Sequence, residues 1–331
     1  TKMFKMLNGQ FAFAIWDTKK ETLLLGRDRV GIRPLFYHLN NNRLIFGSEI
    51  KTLFADAHIP RQLDAGVMSE IFTSWTPIGS GTPFKNIYQI PPGHFALFSK
   101  DGFSVKPYWR LSFDQAETKE KEISEWVDEF SILILDAARI RLRADVPVGA
   151  YLSGGIDSTY ISSLVKRNFN NRLSTFSVTF TDKKYDEASF QKTAIDSLNT
   201  EHFDTQCTEA DIGNVFPKII WHTETPIFRT APAPLFQLSR LVRDTDFKVV
   251  LTGEGADEMF SGYNIFKEDR VRRFWAKQPD STMRPALLAR LYPYIFNQEN
   301  NRSKIFLEKF FKNNLGKTDS PVYSHLLRWQ N

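Results

Sequence analysis

The sequence predicts an α/β protein: a doubly wound parallel sheet over the longer C-terminal part, preceded by a mostly β region ending near residue 112. Three observations carry this expectation. Apolar residues change from strand-like runs to helical spacing near residue 122. Beyond that point, runs of strand length alternate with helices. Two glycine-containing loops each follow directly on such a run.

In the first region, Phe11-Ala12-Phe13-Ala14-Ile15-Trp16 and Thr22-Leu23-Leu24-Leu25 flank the polar Asp17 to Glu21, which reads as a hairpin. Leu44 to Gly47 supplies a further short strand. His94 to Phe98 supplies another, bounded by Pro91-Pro92-Gly93 and Asp101-Gly102. The polar run Asp114 to Lys121 reads as a linker, giving a first domain over 1–113 and a second over 122–331. There Ile123, Trp126, Val127, Phe130, Ile134, Ala137 and Ile140 recur at helical spacing. Strands are expected at Val148 to Leu152, Leu173 to Phe180, His202 to Thr205 and Phe247 to Leu251. Helices are expected at Ser158 to Lys166, Glu187 to Leu198 and Pro234 to Val242.

The first loop is Ser153-Gly154-Gly155-Ile156-Asp157-Ser158. Adjacent glycines let the backbone approach a phosphate, the serines add hydroxyl donors, and the following helix turns its positive end into the loop. Asp157 would be repelled by bare phosphate, so Mg²⁺ or a positioned donor is expected between them. This is the pattern of an ATP pyrophosphatase (PP-loop) site, in place of an ordinary capped glycine turn. The second loop is Thr252-Gly253-Glu254-Gly255-Ala256-Asp257-Glu258. It imitates a dinucleotide fingerprint, but Glu258 stands at the third glycine and the carboxylates would repel a pyrophosphate, so an NAD reading fails on charge. Both loops lie at carboxyl ends of strands and are expected to face one site.

Composition sets wider bounds. The chain has 331 residues, a net charge of +5 and one cysteine, Cys207. An internal disulfide is therefore excluded, Cys207 reads as a small buried hydrophobe, and a reducing cytoplasm is the expected compartment. No run approaches the roughly 18 apolar residues of a membrane span. The 29 phenylalanines are read as core filling. The densest basic segment, Lys267 to Arg273, is interrupted by Glu268 and Asp269 and reads as a solvated helix face, so nucleic acid is not an expected partner. A homodimer is compatible with the sequence. Opening on Thr1 and ending at Gln330-Asn331, the chain reads as cut from something longer.

Asp145 to Ser158 and Leu251 to Tyr263, taken as whole motifs, resemble the PP-loop and acidic signature of the glutamine-dependent asparagine synthetase family. Asn8 to Ala14 and Gly26 to Tyr37 are similar to the later part of that family's N-terminal nucleophile (Ntn) glutaminase domain. The resemblance implies an adenine nucleotide alpha hydrolase-like PP-loop domain preceded by the C-terminal part of an Ntn glutaminase β-sandwich. It also implies ATP-dependent amidation of aspartate through β-aspartyl-AMP, with ammonia from glutamine in the intact protein.

Carried over by residue, it implies that Ser153, Gly154, Gly155, Asp157 and Ser158 hold pyrophosphate and Mg²⁺, and that Leu152, Val178 and Gly253 line the adenine pocket. Glu254 would face the acyl-adenylate and ammonia, and Asp257 and Tyr263 the acceptor. Asp186 would be a further pyrophosphate or metal contact. Arg229 and Thr230 are added because an anionic substrate needs donors. The departures matter as well. The family's nucleophile is an N-terminal cysteine where Thr1 stands here, so this chain is expected to lack glutaminase activity. The downstream synthetase lysine falls beyond Asn331, and Arg229 replaces an aspartate-containing form. Other acceptors, as in β-lactam synthetases or peptide cyclases, stay open. A non-catalytic nucleotide-binding remnant is a further reading, although retention of Asp157 and Glu254 argues against decay.

Overall fold

The computed structural model describes residues 2–112, 121–169, 172–183, 186–292 and 301–329; the expected linker, apart from Lys121, lies outside the described residues. The chain divides into two compact units, one of Thr1–Val127 with Ala210–Ala233 and one of Asp128–Glu209 with Pro234–Asn331.

In the first unit a short helix α1 (Lys2–Met6) precedes the expected hairpin, β1 (Ala12–Asp17) against β2 (Thr22–Arg27), in the register Ala12↔Arg27 to Asp17↔Thr22. The Asp17 carboxylate closes the turn by accepting the Lys19 and Lys20 amides at 3.0 Å each. A second sheet contains β3 (Phe36–Asn40), β4 (Arg43–Gly47) and β5 (Ile87–Gln89) in the order β4-β3-β5. β6 (His94–Ser99) and β7 (Gly102–Pro107) complete the first, in the order β1-β2-β6-β7. Leu25 and Ala96 of one sheet share a core with Leu35 and Ile90, and Tyr37 and Leu44 of the other sheet pack against it. The two sheets therefore close over common apolar surface.

The loop after β2 is held from inside. Asp28 is buried and accepts the amides of Phe11, Ile32 and Arg33 at 3.3, 3.0 and 3.0 Å. Beside it, buried Arg27 donates to the carbonyls of Arg33, Gly31 and Ile90. The segment Gly26 to Tyr37 thus owes its charges to backbone satisfaction. Asp28→Ala would orphan these amides and should destabilise the first unit by about 3 kcal/mol. Hydrogen exchange followed by mass spectrometry should show faster labelling of the segment from Phe11 to Arg33; unchanged protection there would refute the role.

Helices α2 (Ile50–Leu53), α3 (Ala65–Ser74) and α7 (Glu209–Thr223) also belong to this unit, α7 carrying Pro217 inside it. Residues 210–233 lie within the sequence region read as the second domain but fold with the first unit. The reason is visible at Glu224, which has φ 55° and accepts the Ile50 and Lys51 amides at 2.6 Å each. Its carboxylate thereby caps the start of α2 and also meets Lys51 Nζ at 3.4 Å.

The second unit is the doubly wound one. α4 (Ile123–Arg141) has the expected bounds and leads into β8 (Val148–Tyr151), α5 (Ile156–Asn168), β9 (Ser174–Phe180), α6 (Ala188–Leu198) and β10 (Glu201–Cys207). α8 (Pro232–Asp244) and β11 (Val249–Leu251) follow. All pairings are parallel and the order is β10-β9-β8-β11. β8 therefore lies between β9 and β11, where the winding reverses. Ala138 of α4, Ala150 of β8, Leu164 and Val165 of α5 and Leu251 of β11 form its core, and Cys207 is buried as expected.

The remaining helices are α9 (Ala256–Phe260), α10 (Asn264–Ala276), α11 (Ala286–Leu291), α12 (Asn301–Lys312) and α13 (Tyr323–Trp329). They correct one expectation. The basic segment on α10 is not uniformly solvated: Glu268 and Arg272 are fully buried. Arg272 donates to the carbonyls of Phe311, Asn313 and Tyr323, and Glu268 takes a bidentate pair from Arg328 at 2.9 Å per bond. Satisfied in this way, both charges staple the helices together. Core filling by phenylalanine is likewise incomplete. Phe4 is buried among Phe13, Phe95 and Tyr108, but Phe72, Phe190 and Phe260 are more than 60% exposed. Among the described residues no helix is long and apolar enough to cross a membrane.

Candidate functional site

Both loops leave the carboxyl ends of β8 and β11, neighbours at the point where the sheet reverses its winding. Beyond β8 the chain stays tied to β9: the Leu152 amide donates to Phe176 O at 2.9 Å, and the Ser177 hydroxyl donates to Leu152 O. The turn that follows needs glycine. Gly154 has φ 85°, and a β-carbon there would stand 2.8 Å from both Gln191 N and Phe190 Cβ of α6. Helix α5 starts two residues before the expected Ser158, because Gly155 takes the cap position. Asp157 consequently sits in the first turn, where the helix dipole favours its charge. The serines fold the turn on itself, with Ser153 Oγ 2.9 Å from Ser158 Oγ and the Gly155 amide donating to Ser153 Oγ.

The second loop packs backbone to backbone on the first. A β-carbon at Gly253 would lie 2.8 Å from Asp157 Cβ and 2.9 Å from Ser158 N. Any side chain there would drive the loops apart. At the far end of α9 the Asp257 carbonyl accepts the Gly262 amide, and the Tyr263 hydroxyl donates to Glu258 at 2.9 Å. That hydrogen bond, reinforced by the surrounding negative charge, raises the Tyr263 phenol above its ordinary range.

One cleft results. Leu152, Ser153, Asp157 and Ser158 of the first loop line it with Val178, Gly253, Glu254, Asp257 and Tyr263. Gly154 and Gly155 shape the turn behind them. Asp186 is placed differently: its carboxylate accepts the Phe180 amide at 3.2 Å, and it is not among the lining residues. Arg229 and Thr230 belong to the first unit, where the Arg229 guanidinium lies 4.3 Å over the Trp75 ring.

Sequence reasoning missed Glu187, Gln191, Leu235 and Leu238 in the lining. Gln191 is buried, and its amide donates to Val178 O at 3.0 Å. The signal for it was present: a polar residue three and seven positions before Ala194 and Leu198, on the buried face of α6.

The charge of the cleft is one-sided. Asp157, Glu187, Glu254, Asp257 and Glu258 contribute five carboxylates, and no Lys, Arg or His is among the described lining residues. No group of three or more His, Cys, Asp or Glu among the described residues is arranged to hold a metal by itself. One or two of the five carboxylates could hold a divalent cation together with phosphate oxygens and water, a common ligand set for Mg²⁺.

Residues 129–330 match the family profile described as asparagine synthase, and residues 1–109 that described as a glutamine amidotransferase domain. Asparagine synthetase (glutamine-hydrolyzing) 1 of Bacillus subtilis is 32% identical over 305 residues, covering 92% of this chain and 46% of that protein. A putative asparagine synthetase 2 of Methanocaldococcus jannaschii is 32% identical, covering 81% and 53%. Amidase chyE of Penicillium rubens is 31% identical, covering 85% and 43%. The chain spans about half the length of the curated relatives that it matches.

Proposed function

The chain belongs to the asparagine synthase family, and from that premise we propose that its cleft binds ATP and adenylates a carboxylate, which ammonia then converts to an amide. The observation that carries the reading is the direct packing of Gly253 on Asp157 and Ser158, which sets the acidic loop against the phosphate loop at the reversal of the sheet.

In this proposal residues 1–113 are part of an Ntn amidotransferase domain, and residues 122–331 are the synthetase domain apart from the segment that folds with the first unit. Leu152, Val178 and Gly253 contact the adenine. The amides and hydroxyls from Ser153 to Ser158 orient the pyrophosphate. Asp157 would hold Mg²⁺, with Asp186 as a further metal or pyrophosphate contact; when bound, the ion neutralises phosphate charge that the cleft's own carboxylates would otherwise repel. The β-carboxylate of aspartate attacks the α-phosphorus, and the bond to pyrophosphate breaks. Ammonia then attacks the acyl carbon, AMP leaves, and Glu254 takes the proton shed by the nitrogen. Asp257 and Tyr263 position the acceptor. Arg229 and Thr230 enter as donors for an anionic acceptor, the first by its charge and the second by its hydroxyl.

A second acceptor has one observation in its favour, the amidase chyE relative at nearly equal identity. ATP–pyrophosphate exchange in the full-length protein, tested with aspartate and a panel of other carboxylic acids, separates the readings. Aspartate should drive exchange. Exchange driven only by another acid would move the acceptor, and none with any acid would remove the adenylation reading.

A further inference from the structure

A second cavity in the same unit has the opposite charge. It lies between α10, the end of α9 and the start of α13, and Lys267, Arg270 and Arg273 line it against a single carboxylate, Asp269. These cations fall at steps of three along α10, so successive Cβ atoms are ~5–6 Å apart. Arg273 is committed to the frame: it donates to Asp269 at 2.7 Å and Thr318 O at 2.7 Å, and it lies 4.8 Å over the Tyr323 ring. Lys267 and Arg270 are exposed and make no hydrogen bond or ion pair among the described residues, leaving two uncompensated charges at the mouth. Ser261 and Ser324 add hydroxyls to the wall.

We propose that this cavity is a second anion site, which takes small phosphate-bearing anions of the pyrophosphate class. Cations spaced by one helical turn, with hydroxyls beside them, match a compact multivalent anion better than a single carboxylate. The position suits the same chemistry. Asp257 and Glu258 of α9 line the acidic cleft, and Phe260, its last residue, lines the basic cavity with Ser261. From Asp257 to Phe260 the helix rises roughly 4–5 Å. An anion repelled by the carboxylates of the cleft therefore has a cationic resting place about one short helix away. Binding here rests on the cavity alone and does not depend on the reaction assigned to the cleft.

Calorimetric titration of inorganic pyrophosphate into the whole chain tests it, at low salt and with a chelator present so that the acidic cleft stays unattractive to the probe. Saturable binding is expected. The Lys267→Gln, Arg270→Gln double variant should bind about tenfold more weakly or worse, the effect of removing two charges from direct contact. Both replaced side chains are exposed, and circular dichroism checks that the variant keeps its fold. The site would be overturned by absence of saturable binding or by equal binding in the double variant.

Discussion

Asp157→Asn is expected to abolish Mg²⁺-dependent ATP–pyrophosphate exchange in the full-length protein while leaving the fold intact. The side chain lies in the first turn of α5, is exposed, and makes no hydrogen bond or ion pair among the described residues. Its structural contribution is confined to the helix dipole, ~0.3–1 kcal/mol. Asparagine keeps the size, so Gly253 still packs on its β-carbon. Charge stabilisation through a bound cation is worth several kcal/mol, and each 1.36 kcal/mol is about tenfold in rate. A fall of roughly three orders of magnitude or more follows, with circular dichroism unchanged. Exchange at the wild-type rate would remove the central claim.

Glu254→Gln should divide the two half-reactions. Glu254 lies between Gly253, which packs on Asp157 and Ser158 of the first loop, and Asp257 on α9; it is exposed and lines the cleft. Without a general base, amide formation should slow by roughly two to four orders of magnitude while acyl-adenylate still forms. Rapid quench of one reaction, measuring AMP, pyrophosphate and asparagine, should find pyrophosphate released with little asparagine. If both steps fall together, Glu254 positions the cation or acceptor instead. If it merely caps a helix, stability drops by about 0.5–2 kcal/mol and both rates persist.

Much of this site is legible in the sequence because its constraints are local. A strand, two glycines and a helix start are written in consecutive residues, and the second loop follows its own strand in the same way. What stayed hidden depends on distant partners. The place of Gln191 on the buried face of α6 is legible in the helical spacing, but that this face lies behind Gly154 is not written near residue 191. Arg272 and Glu268 read as solvated charges because Phe311, Tyr323 and Arg328, which bury them, lie some 40 to 60 residues away. The strands β3, β5 and β7 do not alternate cleanly in burial, so period alone did not find them. The helix α7 was missed because Pro217 normally argues against a helix interior.

The placement of residues 210–233 bears on how the gene could be divided. A cut at residue 121 looks natural on paper, yet it would separate Glu224 from the α2 amides it caps. The upstream product would lack a helix that completes it, and the downstream product would carry Ile219, buried in the intact chain, on a helix severed from its unit. Neither half is a cassette. Insertion, fusion or recombination that respects both units must exchange the downstream segment together with the upstream one.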